Sequence, residues 1–121
     1  MSGATAPAQS PAGPSSRQSG HDCPECGAGF PLAHPRQIFC SDAHQKAWKA
    51  RTRRRGYQLY PFAIVARATR EGTRGDRSTG SRASKDADQL RERWKDEDAT
   101  KKRMTPAAYL ALRYRLGFDR P

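Results

Sequence analysis

The stretch Cys23-Pro24-Glu25-Cys26-Gly27, followed after a loop by Phe39-Cys40-Ser41-Asp42-Ala43-His44, decides how this chain folds. Its metal-ligating residue types are spaced Cys-x2-Cys-x13-Cys-x3-His. A Cys-x2-Cys pair in a tight turn aims two sulfurs at one point, and Gly27 relieves the backbone after the second. Ser41 is a good N-cap, and Asp42 sits where the helix dipole favours an anion, so a helix starts here. Cys40 precedes the cap and His44 lies in the first turn. Four positions along a helix return to the same side, so both can face the two sulfurs of the turn. Three thiolates and one imidazole suit the tetrahedral preference of zinc, and four protein donors leave no open position. The expectation is one structural zinc ion per chain on Cys23, Cys26, Cys40 and His44. His21 and His34 are the alternative fourth ligands, and both read as exposed loop histidines. A thioredoxin-type redox pair would need a βαβ context, and no such unit surrounds Cys23 and Cys26.

These residues resemble the treble-clef zinc fingers, in particular small bacterial fingers with a CPxCG knuckle and an FCSxxC or FCSxxH helix start. The resemblance rests on Cys23, Pro24, Cys26, Gly27, Phe30, Phe39, Cys40, Ser41 and His44, and it covers about a fifth of the chain. His44 stands where many members carry a fourth cysteine. The implied fold is a small, zinc-stabilised α+β finger, a β-hairpin plus helix. The resemblance does not specify a function, because such fingers serve nucleic-acid binding, protein contacts and enzyme accessory roles alike.

Around that block, composition sets the scale. The chain has 121 residues, only 35% of them hydrophobic, which leaves a core that is marginal without a metal or disulfide. Three cysteines cannot all pair, and residues 1–20 lack the basic start and apolar stretch of a signal peptide. Both points fit a reducing, intracellular (cytoplasmic) setting. No apolar run reaches the length of a membrane-spanning helix.

Five segments follow from composition and punctuation. Residues 1–20, built mostly from Ala, Gly, Pro, Ser, Thr and Gln, read as a disordered tail. Residues 21–56 are the finger and its basic helix, with Gly56 as the stop. Residues 57–72 hold a second helix opened by Pro61 and packed on the finger, with Tyr57, Tyr60 and Phe62 between the helices. Residues 73–84, rich in Gly, Ser and Arg, read as a flexible linker. Residues 85–121 hold two more helices: one opening near Ser84 or Lys85, with Leu90 and Trp94 as its large apolar pair, and one opened by Thr105-Pro106 and stopped by Gly117. The expected fold is thus a finger followed by three further helices. Trp48, four residues from His44, reads as core over the metal site. Tyr109, Leu112 and Leu116 form a packing stripe, with Arg113 and Arg115 solvated.

The net charge of +11 points to a polyanionic partner. Between Lys46 and Arg82 stand eleven Lys/Arg against Glu71 and Asp76. Arg suits bidentate phosphate contact, so Lys46, Lys49, Arg51, Arg53, Arg54 and Arg55 are the candidate nucleic-acid contacts, for DNA or RNA. The cluster Arg51 to Arg55 would then present several guanidinium groups together at the end of a zinc-anchored helix. The rival function is a protein-interaction adaptor that docks through its C-terminal helices. Catalysis is not expected: no nucleophile triad, phosphate loop or paired carboxylates stand in a defined context, and a closed metal site offers no position for substrate.

Overall fold

In a computed structural model of the protein, which describes residues 20–118, the chain forms helices α1 (Asp42–Ala68), α2 (Arg77–Thr100) and α3 (Pro106–Arg115). Residues 1–19, where the tail is expected, lie outside the described residues. Among the described residues there is no strand. The only β pairing there is one isolated antiparallel bridge, Asp22 to Gly29. The expected α+β class, a treble clef with a β-hairpin, is therefore overturned, and the fold is all-helical around an irregular Cys/His loop. The cause is local. The turn closes through the bond from Cys23 N–H to the Ala28 carbonyl at 2.8 Å, and nothing extends it. Beyond Gly29 the chain meets Pro31 and Pro35, which have no N–H to give to a ladder.

The chain divides into two compact units. The first contains residues 20–48 and 101–118 of the described chain. The start of α1 is capped as expected: Ser41 Oγ accepts from His44 N–H at 3.2 Å. The start of α3 follows the sequence equally closely. Thr105 caps it, its side chain accepting from the Ala108 N–H, with Pro106 next to it. The stop falls at Gly117, whose φ is +90. Phe39, Trp48 and Tyr109 form the aromatic centre of this unit, with Trp48 and Tyr109 rings 4.8 Å apart and Phe39 and Trp48 rings 5.9 Å apart. Leu112 of α3 is 2% exposed. Trp48, Tyr109 and Leu112 are thus packing residues, as their spacing suggests. Arg113 is not simply solvated: its guanidinium lies over Tyr109 and Phe118. Arg36 donates to the Leu116 carbonyl at 3.1 Å and lies over the Phe118 ring.

The second unit, residues 49–100, pairs most of α1 with α2. Arg55 meets Asp98 at one end and Thr69 meets Gly80 at the other, so the two helices run antiparallel. The seam between them is made of small residues: Ala66 and Thr69 from one side, Gly80, Ala83 and Ala87 from the other, all buried. Here the expected boundaries fail twice. Helix α1 does not stop at Gly56, nor does a new helix open at Pro61; a single helix of 27 residues passes through both. Gly costs a helix about 1 kcal/mol and Pro about 3. Contacts with α2 on both sides, at Arg55 and at Ala66 and Thr69, hold the backbone helical between them. Likewise α2 opens at Arg77, inside the stretch that reads as linker. Asp76 is its cap, with Oδ1 accepting from Thr79 N–H at 3.1 Å. That bond, first from the Thr79 backbone and then from its side chain, holds the Asp76 carboxyl below its ordinary value.

Candidate metal centre and basic helix

The four ligand-type residues come together. The candidate donor atoms of Cys23, Cys26, Cys40 and His44 all lie within 4.8 Å of one another, and this is the one such group among the described residues. Cys26 and Cys40 sulfurs are 3.9 Å apart. His44 Nδ1 is 3.8 Å from the Cys23 sulfur and 3.1 Å from the Cys40 sulfur. A tetrahedron with zinc bond lengths would place its sulfurs about 3.8 Å apart and sulfur and nitrogen about 3.5 Å apart. The donor set therefore fits such an ion in both chemistry and spacing, and the four residues could hold one. All three cysteines are free thiols.

Local structure explains how the donors converge. Gly27 N–H bonds the Cys23 carbonyl at 2.8 Å, closing the turn that carries the first two sulfurs. Gly27 has φ +77, and a Cβ there would lie 2.5 Å from the Lys102 carbonyl oxygen, so only glycine fits. Residues just before α3 brace the same turn: Met104 N–H donates to the Pro24 carbonyl at 2.9 Å. This second support is invisible in the sequence, because it joins positions eighty residues apart.

The electrostatics of the group favour a cation. Burial raises the Cys23 thiol, but hydrogen bonds from the backbones of Cys40, Cys26 and Glu25 and from the His44 side chain outweigh it and bring it to about 7. Cys40 is pushed up to about 11 by burial and by its bonds and repulsion with the sulfurs of Cys23 and Cys26. The Cys23 thiolate forms readily and Cys40 then resists ionising, a conflict that a divalent cation removes.

Neither alternative histidine joins the group. His21 is not the exposed loop residue its position suggests: its ring stands edge-on to Phe30, with Nε2 3.3 Å from the Ile38 carbonyl. His34 is exposed, and its backbone carbonyl accepts from Gln37 N–H.

The candidate nucleic-acid contacts are divided rather than gathered. Lys46 pairs with Asp42 at 3.1 Å. Arg55 grips Asp98 with both terminal nitrogens, at 2.9 and 3.0 Å, and also bonds Glu97. Burial works to lower the Arg55 pKa, but the Asp98 and Glu97 bonds raise it further. Its guanidinium also lies 5.3 Å from the Trp94 ring centre. Arg55 thus ties α1 to α2, and its place among solvent-facing phosphate contacts is a correction to the sequence reading. Arg51 is half-buried, on the same side of α1. Lys49, Arg53 and Arg54 are exposed. Tyr57 and Tyr60, expected as packing, are 86% and 67% exposed. Only their helical register relative to Arg55 shows this, and that register depends on α1 continuing through Gly56.

Comparison of the chain with protein-family models, with curated proteins and with solved structures gives no match. No helix of the described residues is long and apolar enough to cross a membrane.

Proposed function

We propose that this chain is a zinc-binding protein that contacts nucleic acid through α1, in a regulatory or accessory role. The zinc is structural: one ion on Cys23, Cys26, Cys40 and His44, whose four donors complete a tetrahedron and leave no site for substrate. The observation that carries the nucleic-acid reading is where the charge stands. Helix α1 has seven Lys/Arg against Asp42 alone, whereas α2 has six of each sign. The uncompensated charge of the second unit's helices therefore stands on α1, where Lys49, Arg53, Arg54 and Arg67 are exposed. Arginines on such a face suit phosphate oxygens, and neutralising each phosphate releases condensed counterion.

The test is binding of zinc-loaded protein to labelled oligonucleotides by fluorescence anisotropy across a salt series. Affinity should fall steeply with salt. Replacing Lys49, Arg53 and Arg67 together with Gln should flatten the logarithmic slope by about 2 to 3, with zinc retained. A parent with no affinity at low salt, or a triple variant that binds like the parent, would refute the proposal.

A further inference from the structure

Helix α1 carries more than charge on its outward side. Stepping about 100° per residue, Lys49, Arg53, Tyr57, Tyr60, Ile64 and Arg67 fall within a stripe about 80° wide. It lies opposite the side where Arg55, Ala66 and Thr69 meet α2. The three apolar members are unusually open: Tyr57 is 86%, Tyr60 67% and Ile64 50% exposed. Among the described residues, no ion pair engages Lys49, Arg53 or Arg67. The stripe is about 27 Å long, with a cation at each end and the two tyrosines one turn apart in its middle.

We propose that this stripe binds single-stranded nucleic acid, with Tyr57 and Tyr60 as stacking platforms for successive bases and Lys49, Arg53 and Arg67 holding the phosphates. The inference rests on the nucleic-acid reading above and narrows it. A positive track combined with exposed aromatic faces is the chemistry by which single strands are held without sequence readout. A duplex offers such a surface little, because its bases are already stacked and present only their edges. Tyrosine also explains the exposure: it offers a flat apolar ring at low entropic cost while its hydroxyl stays in water. Ile64 extends the apolar strip towards Arg67. Arg55 takes no part, since Asp98 and Glu97 hold it on the opposite side.

The experiment compares zinc-loaded full-length protein on four probes of equal length at low salt: oligothymidylate, oligouridylate, a mixed-sequence duplex and an abasic strand. Tyr57→Ala and Tyr60→Ala should each weaken binding to the two base-bearing single strands by about 5- to 100-fold. Binding to duplex and abasic strand should change by less than about two-fold, and Tyr57→Phe and Tyr60→Phe should bind like the parent. Because both side chains are exposed, helicity by circular dichroism should not change. If the alanine variants bind single strands like the parent, or lose duplex and single strand equally, the stacking role is overturned while nucleic-acid contact stands. If the parent binds no probe at low salt, the nucleic-acid reading itself falls, and the stripe passes to an acidic protein partner.

Discussion

Two glycines on neighbouring helices predict opposite outcomes for the same substitution. At Gly80 on α2, an added Cβ would lie 2.6 Å from Thr69 Cβ and 2.9 Å from Thr69 Cγ2. Both neighbours belong to a β-branched side chain whose hydroxyl bonds the Val65 carbonyl at 2.8 Å and accepts from Gly72 N–H, so it cannot swing aside. Forcing a methyl into a packed seam costs about 1–3 kcal/mol, and the gain in helix propensity returns about 0.5–1. Gly80→Ala should therefore destabilise the chain by a net of up to about 2.5 kcal/mol. At Gly56 on α1, nothing lies within 4 Å of the added Cβ. Only the propensity gain remains, so Gly56→Ala should stabilise by about 0.5–1 kcal/mol. The assay is urea unfolding of zinc-loaded protein, followed by far-ultraviolet circular dichroism, with the denaturant slope checked for constancy. Thr69→Ala should cost about 1 kcal/mol alone, from its lost hydrogen bonds. Combined with Gly80→Ala, the cost should be less than the sum, because trimming Thr69 removes its Oγ1 and Cγ2 from the clash and leaves only its Cβ, 2.6 Å from the new methyl. If Gly80→Ala proves as stabilising as Gly56→Ala, α1 and α2 do not cross at Thr69 and Gly80, and the antiparallel pairing is wrong.

Three further outcomes follow from other contacts. Cys40→Ser should abolish tight zinc binding and unravel the start of α1, since zinc affinity in so small a site is folding free energy; full metal content in the variant by elemental analysis, or no zinc in the parent, would count against the site. Asp98→Ala should cost about 1.5–3 kcal/mol, because the Arg55 cation, whose side chain is 17% exposed, loses its bidentate partner and keeps only Glu97; a loss under about 0.5 kcal/mol in the same unfolding assay would reduce the pair to an ordinary surface contact. Trypsin should cut at Arg70 or Arg74 in the turn before it reaches Arg82, which lies in α2; first cleavage at Arg82, read by mass spectrometry, would restore the flexible linker expected over residues 73–84.

Signals confined to a few neighbouring residues were legible in the sequence and held. Ser41 and Asp42 opened α1, Thr105-Pro106 opened α3, and Gly117 ended it, because a cap is made by a side chain and backbone groups three residues away. The grouping of Cys23, Cys26, Cys40 and His44 was legible for a related reason: two short spacings set each pair, and one loop joins them. Asp76 could have been read as a cap as well, but the Gly and Ser around it suggested a linker.

What the sequence could not decide were questions settled between distant segments. Whether Gly56 stops a helix depends on whether α2 holds the chain on both sides of it, through Arg55 and through Ala66 and Thr69. The β-hairpin failed because a ladder requires several donors in register, and among the described residues only Asp22 and Gly29 pair. The direction each arginine faces was equally a tertiary matter. Charge counting put Arg53 and Arg55 in one cluster, yet about 200° of helix separates them. Asp98, forty-three positions away, claimed Arg55 for the interior of the hairpin. The sequence by itself thus determined the candidate metal donors, the caps and the excess of positive charge, all of which are chemistry of residue type and short spacing. The tertiary structure alone determined which cations, and which tyrosines, remain in water, because burial depends on the partner that a helix face meets.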